Sequence, residues 1–264
     1  MPPRPFVRIA SLGVAGATAL FAAPSALAAA PALTAAPMQI SGASAHHVTH
    51  GLHSLATRNG TVTSGNWSGY AATGGSGKFT SVSASWVQPS VNCSGDANTD
   101  SAFWVGLDGY SNSALEQTGT EADCVNGQAE YNDWWEVLPA SETPYYSTLD
   151  PGDYITASVK YNGNGTFTMS LSDSSRGWSH STTENGSSGF QNDSAEVIAE
   201  APYDGSILPL ANFGYVTFQN SEADGNALAD YSPNEIIMTG NNDTRAQPGG
   251  LSGGTFADYW KNTN

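Results

Sequence analysis

A period of two is the feature that most constrains this chain. Ile155, Ala157, Val159 and Tyr161 alternate with polar residues, Asn162-Gly163-Asn164-Gly165 interrupts, and Phe167, Met169 and Leu171 resume the alternation. Successive side chains of a strand point to opposite faces, so the pattern predicts two half-buried strands. Asn-Gly tolerates the positive φ of tight turns, which makes the pair a hairpin. Phe79 to Val87 repeats the signal, with Val82, Ala84 and Trp86 on one parity and Ser81, Ser83 and Ser85 on the other. Tyr131 to Leu138, Ala195 to Ala199, Gly214 to Phe218 and Glu235 to Thr239 are further strand candidates, and helical periodicity is scarce. Many short strands joined by Gly, Asn and Ser turns predict an all-β fold, an antiparallel β-sandwich of two packed sheets with a concave cleft. No repeat period and no second domain are visible.

Charge narrows the function classes. The 264 residues carry 24 Asp and Glu against 8 Lys and Arg, and none of the acidic residues precedes Asp96. Phosphate backbones require Lys and Arg for neutralisation, so nucleic acid is excluded as a partner. An acid-rich surface loses its self-repulsion as carboxylates protonate, which is compatible with work at low pH.

The first residues form an address. Arg4 and Arg8 precede an apolar run from Ile9 to Ala23, and Ala26-Leu27-Ala28 supplies a small-x-small cleavage pattern, so residues 1–28 are expected to be a signal peptide. The run is shorter than the ~20 residues of a membrane span and is followed by Pro24. The expectation is a secreted, extracellular monomer that leaves the membrane after signal cleavage. Residues 29–60 are Ala-rich, free of carboxylates, and hold His46, His47, His50 and His53, four of the five histidines. They are expected to form a pro-segment or leader linker ahead of a domain at 61–264. Imidazoles titrate at about 6.5, so the segment is either a simple spacer or an acid-responsive element, of which the direction is open. An unchanged pH profile of maturation after replacing the four histidines with Gln would exclude the second.

Cys93 and Cys124 are the only cysteines. In an oxidising compartment such a pair is expected to be a disulfide. It would close a loop around the Trp104 to Gln117 segment and contribute about 3 kcal/mol.

Familiar catalytic constellations are missing. A Ser-His-Asp triad needs a histidine, and His180, in the polar stretch Ser179-His180-Ser181, is the only one after residue 61 and is expected at the surface. There is no phosphate-cradling loop or His-Glu-x-x-His. Asp96-x-Asn98-x-Asp100 opens like a calcium loop, but Ser101 stands where Gly is needed and Leu107 where the bidentate Glu belongs. No cofactor and no metal are expected. What remains is carboxylate, amide and tryptophan chemistry: strand alternation places Trp104, Gly106 and Asp108 on one face, Trp134 and Glu136 on one face, and Glu196, Ile198 and Glu200 on one face.

At these residues the chain resembles the glutamic peptidase family, the eqolisins of fungi and some bacteria, as a bacterial-type member. The resemblance runs through Asn66-Trp67-Ser68-Gly69, Trp-Val-Gly-Leu-Asp-Gly at 104–109, Gln117-Thr118-Gly119, Trp134-Trp135-Glu136 and Ala195-Glu196-Val197-Ile198-Ala199-Glu200. It implies a secreted peptidase with a pro-segment, built as two antiparallel sheets, that cleaves proteins or peptides at acid pH with a Gln and a Glu. By motif the pair is Gln117 and Glu200, with Trp104, Asp108, Trp134 and Glu136 at supporting, substrate-binding positions of the cleft. Asn132 stands where fungal members have an acidic residue, and Ala201-Pro202 where they have Asp-Phe. These departures bear on substrate preference and on the surroundings of Glu200.

The residue types suit the chemistry. Metal-free peptide hydrolysis needs a base for water, a donor for the oxyanion and a proton for the leaving nitrogen, all of which a carboxylate and an amide supply. The same residues admit two other readings. One is a β-sandwich glycoside hydrolase with Glu136 and Glu200 as its carboxylate pair and tryptophans stacking on sugars. The other is a non-catalytic carbohydrate-binding module.

Overall fold

The alternating stretches become strands at nearly the expected places. The computed structural model describes Gly51 and residues 56–58, 61–95, 98–241 and 243–264. The expected signal peptide, most of the leader with its four histidines, and Asp96 lie outside the described residues.

In chain order the strands are β1 (Ala56–Arg58), β2 (Thr61–Ser64), β3 (Trp67–Thr73), β4 (Ser81–Val87), β5 (Asn98–Thr99), β6 (Ala102–Leu107), β7 (Glu116–Val125), β8 (Gln128–Val137) and β9 (Thr143–Pro144). They continue with β10 (Tyr154–Tyr161), β11 (Thr166–Asp173), β12 (Trp178–Asn185), β13 (Ser194–Glu200), β14 (Tyr215–Ala223), β15 (Asn226–Ala227), β16 (Asn234–Gly240), β17 (Asp243–Pro248) and β18 (Phe256–Trp260). The predicted hairpin is β10–β11, with Ile155 opposite Asp173 and Tyr161 opposite Phe167. A short 3-10 turn at Leu228–Tyr231 is the only helical element among the described residues, and no helix there is long and apolar enough to cross a membrane.

Strand pairing forms one continuous ladder that folds over into two layers. The first layer runs β9–β8–β7–β6–β13–β3–β16. β16 passes the ladder to β17 and β18, and the second layer runs β18–β14–β4–β10–β11–β12. All these pairings are antiparallel; the small β1–β2 hairpin joins β16 through a parallel contact of β2.

The core lies between the layers. Phe103, Val105 and Leu107 of β6 and Ala195, Val197 and Ala199 of β13 share one cluster with Val82, Ala84 and Trp86 of β4, Ile155, Ala157 and Val159 of β10, and Phe167, Met169 and Leu171 of β11. Each fully buried large apolar side chain contributes about 1.5–3 kcal/mol. The predicted sandwich is therefore the observed one. Cys93 and Cys124 form the expected disulfide, Cα atoms 5.5 Å apart, tying the segment after β4 to β7. Asn98 and Thr99 pair with Val125 and Cys124, so the stretch that opened like a calcium loop is part of this sheet.

Candidate active site

The outer face of the first layer carries the residues of opposite parity to the core. Register assigns them to rows. Glu196, Gly106, Gln117 and Glu136 are successive cross-strand partners on β13, β6, β7 and β8. Ile198, Trp104, Gly119 and Trp134 form the next row, and Glu200, Ala102 and Glu121 the one after. Gln117 and Glu200 thus share a face, with β6 and one row between them. Both are fully buried, as are Trp104, Trp134 and Glu136.

Small residues make this face possible. A Cβ on Gly119 would stand 2.2 Å from the Phe103 carbonyl oxygen and 2.6 Å from Trp104 Cβ, and one on Gly69 would stand 2.2 Å from the Val197 oxygen. Glycines inside strands mark close backbone approach or tight bending. Here they let β7 and β3 press against β6 and β13 on either side. Gly106, between Glu196 and Gln117, leaves the space into which Leu115 and the Trp104 ring lean.

Glu200 is held by two donors. Trp104 Nε1 donates to its Oε2 at 2.8 Å, and Asn66 Nδ2 donates to its Oε1 at 2.7 Å. Bonds of this kind to an ionised acceptor are shorter and stronger than neutral ones. The indole is braced in turn, edge-on to Trp67 with ring centroids 4.9 Å apart. Asn66 sits on the bend between β2 and β3, where Ser64 Oγ donates to its Oδ1. Arg245 secures that bend by donating to the Gly65 carbonyl, and to those of Leu208 and Thr263. Burial lowers its pKa only to about 10, so it stays a cation. Asn66 was visible in the Asn-Trp-Ser-Gly motif, but its contact with Glu200 was not foreseeable from spacing.

Gln117 is held by its neighbour across the ladder. Its Nε2 donates to Glu136 Oε2 at 2.6 Å. The nearby Asn66 Nδ2 also donates to the carbonyl of Gly51, at 2.6 Å. Gly51, ahead of β1, therefore touches the side chain that holds Glu200.

Asp108 departs from the expected row. Strand β6 ends at Leu107, and Asp108 takes φ 67°, which turns its side chain out of the alternation. Its two oxygens accept the backbone N–H groups of Gln191, Asn192 and Asp193 and the amide of Asn112. The carboxyl organises the loop leading into β13 and is taken up by that task.

Around it lies a cluster of buried acids. Glu196 is pushed well above the ordinary carboxylate range by burial first, then by the charges of Asp108, Asp193 and Glu116. Glu116, which accepts Ser187 N–H, is raised to about 8, again mainly by burial. Asp193 is raised too, by burial and then, among the raising influences, Asp108. His180 is half-buried on β12, stacked on Tyr145 and hydrogen-bonded to Ser147 Oγ, away from this face.

The arrangement is a carboxylate and an amide, each fixed by dedicated partners, on one face of an antiparallel sheet. A family model described as Peptidase A4 matches residues 65–256. The chain belongs to the Peptidase A4 family. Among its relatives, Aspergillopepsin-2 of Aspergillus niger is 27% identical over 191 residues, covering 62% of this chain and 67% of that protein. The structure of scytalido-glutamic peptidase with a transition state analog inhibitor aligns with a TM-score of 0.65 at 24% identity, over 75% of this chain and 98% of that one. SCP-B, an eqolisin in complex with the tripeptide Ala-Ile-His, aligns with a TM-score of 0.61 at 24% identity, with the same coverage. The aspergilloglutamic peptidase of A. niger aligns with a TM-score of 0.54 at 24% identity, over 62% of this chain and 99% of that one. As a Peptidase A4 member the chain is a peptide-bond hydrolase, which displaces the glycosidase and binding-module readings.

Proposed function

We propose that this chain is a secreted, acid-active endopeptidase that hydrolyses proteins and peptides with Glu200 and Gln117. The observation that carries the reading is the pair of N–H donors, from Trp104 and Asn66, that hold both oxygens of Glu200 on the face shared with Gln117. Glu200 takes a proton from water as the oxygen attacks the scissile carbonyl carbon. A tetrahedral intermediate forms, and its oxyanion accepts an N–H of Gln117. Glu200 then delivers the proton to the amide nitrogen, the C–N bond breaks, and acid and amine products leave. Glu136 engages one N–H of Gln117 and so sets which end of the amide faces the substrate. Trp104 and Trp134 shape the cleft, and Asp108 acts by positioning the loop before β13. Clustering of Glu196, Glu116 and Asp193 favours operation at low pH, where like charges no longer accumulate beside the site.

The same proposal covers the leader. Contact of Gly51 with Asn66 supports a pro-segment role for residues 29–60 after removal of a signal peptide at 1–28.

Digestion of a denatured protein at about pH 3–4, within the range of carboxylate titration, tests the assignment. Cleavage should resist pepstatin, appear only after the leader has been removed, and be lost in both Gln117→Ala and Glu200→Gln. Retained activity in either variant removes that residue from the mechanism. Full activity with the leader attached removes the pro-segment.

A further inference from the structure

On the second layer, where no residue of the catalytic face contributes, a groove of about 590 Å³ lies between the segment after β4 and the start of β14. Its lining has no charged side chain. Asn92, Asn212, Gln219, Ser90 and Thr217 supply amides and hydroxyls, and Tyr215 supplies a ring. Tyr215 is 62% exposed, and its cross-strand partner Tyr259 is 42% exposed beside it, ring centroids 6.2 Å apart.

The amides are oriented. Asn92 Oδ1 accepts the Ser94 N–H and Asn212 Oδ1 accepts the Gly214 N–H. Each carboxamide has its oxygen tied to its own turn, which leaves its NH₂ as the group to offer. Three main-chain donors of the wall are committed: Gln88 N–H to Asp153, Val91 N–H to the Tyr131 hydroxyl and Asn92 N–H to Asn212. A peptide would need such groups to add itself as a strand. What the groove offers instead is neutral side-chain donors and acceptors beside an exposed aromatic face, and the ligand that presents hydroxyls along its edge and C–H groups on its face is a sugar ring. From Gln219 a cross-strand row continues through Ser85, Thr156, Ser172 and Ser179. At about 4.8 Å per strand this uncharged row extends roughly 19 Å; Ser85 is buried in it against Thr156, while Thr156 and Ser179 are exposed.

We infer that this groove, with Tyr215 as its platform, binds a neutral polysaccharide and anchors the peptidase to it, apart from the catalytic face. Glycan retention is measured on the full chain, and peptide hydrolysis on the same protein after removal of its leader. Retention on cellulose, on chitin and on a soluble β-1,3-glucan is measured by depletion and affinity electrophoresis at low and high salt, with Tyr215→Ala and Tyr215→Phe alongside. Expected are salt-insensitive retention on at least one glycan, about tenfold weaker binding in Tyr215→Ala, near-normal binding in Tyr215→Phe, and unchanged hydrolysis of a short soluble peptide in both. Absence of retention on all three glycans, retention that salt abolishes, or retention indifferent to Tyr215→Ala overturns the proposal. So does a raised KM for protein substrates in Tyr215→Ala without glycan retention, which makes the groove a peptide-docking surface.

Discussion

Two N–H groups hold Glu200, and they come from residues 96 and 134 positions away in sequence. A hydrogen bond to a charged group contributes about 1.5–3 kcal/mol, so removing one donor should lower the turnover of the leader-free form by roughly tenfold to a hundredfold. Trp104→Phe keeps a ring in the site and removes the Nε1–H; Asn66→Ala removes the other donor. Both should reduce kcat more than they raise KM, measured on a peptide substrate at acid pH. Unchanged kcat in both would mean that these contacts only stabilise the fold. The places of Trp104 and Glu136 on the face of Gln117 and Glu200 were readable, because alternation put them on faces that register then aligned. Asp108 did not follow, since its left-handed backbone ends the alternation one residue early. Asn66 escaped because a bend between strands leaves no periodic trace.

Strands with apolar alternation were readable, and those without it were not. β10, β11 and β4 announce themselves because one face meets the core and the other meets water. β7 reads Glu-Gln-Thr-Gly-Thr-Glu-Ala-Asp-Cys-Val, polar along most of its length, yet nine of its ten residues are buried. Its core-side residues include Thr118 and Thr120, which bond the Trp134 carbonyl and Gln88, and its other side faces the site, so neither face carries the usual signal. β12 is an edge strand with alternating partial burial, and it was missed because after Trp178 it holds only polar residues. Glycine placement in the strands of the first layer is the element-scale determinant of the site. Gly119→Ala would drive a Cβ into the Phe103 backbone oxygen and Trp104, and overpacking of this kind costs about 1–3 kcal/mol or more. The urea midpoint should fall clearly in this variant, whereas Gly127→Ala in the β7–β8 turn, where nothing crowds the added methyl, should lose only what its φ of 76° imposes. Equal losses would show that close approach at Gly119 is unimportant.

For the molecule as a whole, buried acids determine where it is stable. Glu116 and Asp258 titrate at about 8 in the folded chain, both chiefly through burial, and Glu196 is shifted in the same direction. Unfolded carboxyls ionise near 4. Above that value the unfolded chain releases protons that the folded chain keeps, so stability is fully present below about pH 4. It is lost as pH rises toward 8, on the order of 1.4 kcal/mol per pH unit for each such group. Asp153 acts in the opposite sense: despite the cost of burial, Arg176 holds it below its ordinary value, and its contribution fades only as pH falls below about 4. Urea unfolding should therefore show a higher midpoint at pH 4 than at pH 7, and a midpoint that rises toward neutrality would contradict these assignments. Acid-side stability and the proposed acid-side catalysis then share one origin, carboxyls kept protonated beside and beneath the face that carries Gln117 and Glu200.

The central claim is that Gln117 and Glu200 act as one unit across that face, and a double-variant cycle tests it most directly. Single-turnover rates of peptide cleavage at acid pH would be compared for the leader-free peptidase, Gln117→Ala, Glu200→Gln and the double variant. Residues that serve one transition state are strongly non-additive. The double variant should be no slower than the worse single variant, with each single change costing on the order of a hundredfold or more. Losses that simply multiply in the double variant, or a single variant with undiminished rate, would contradict the assignment.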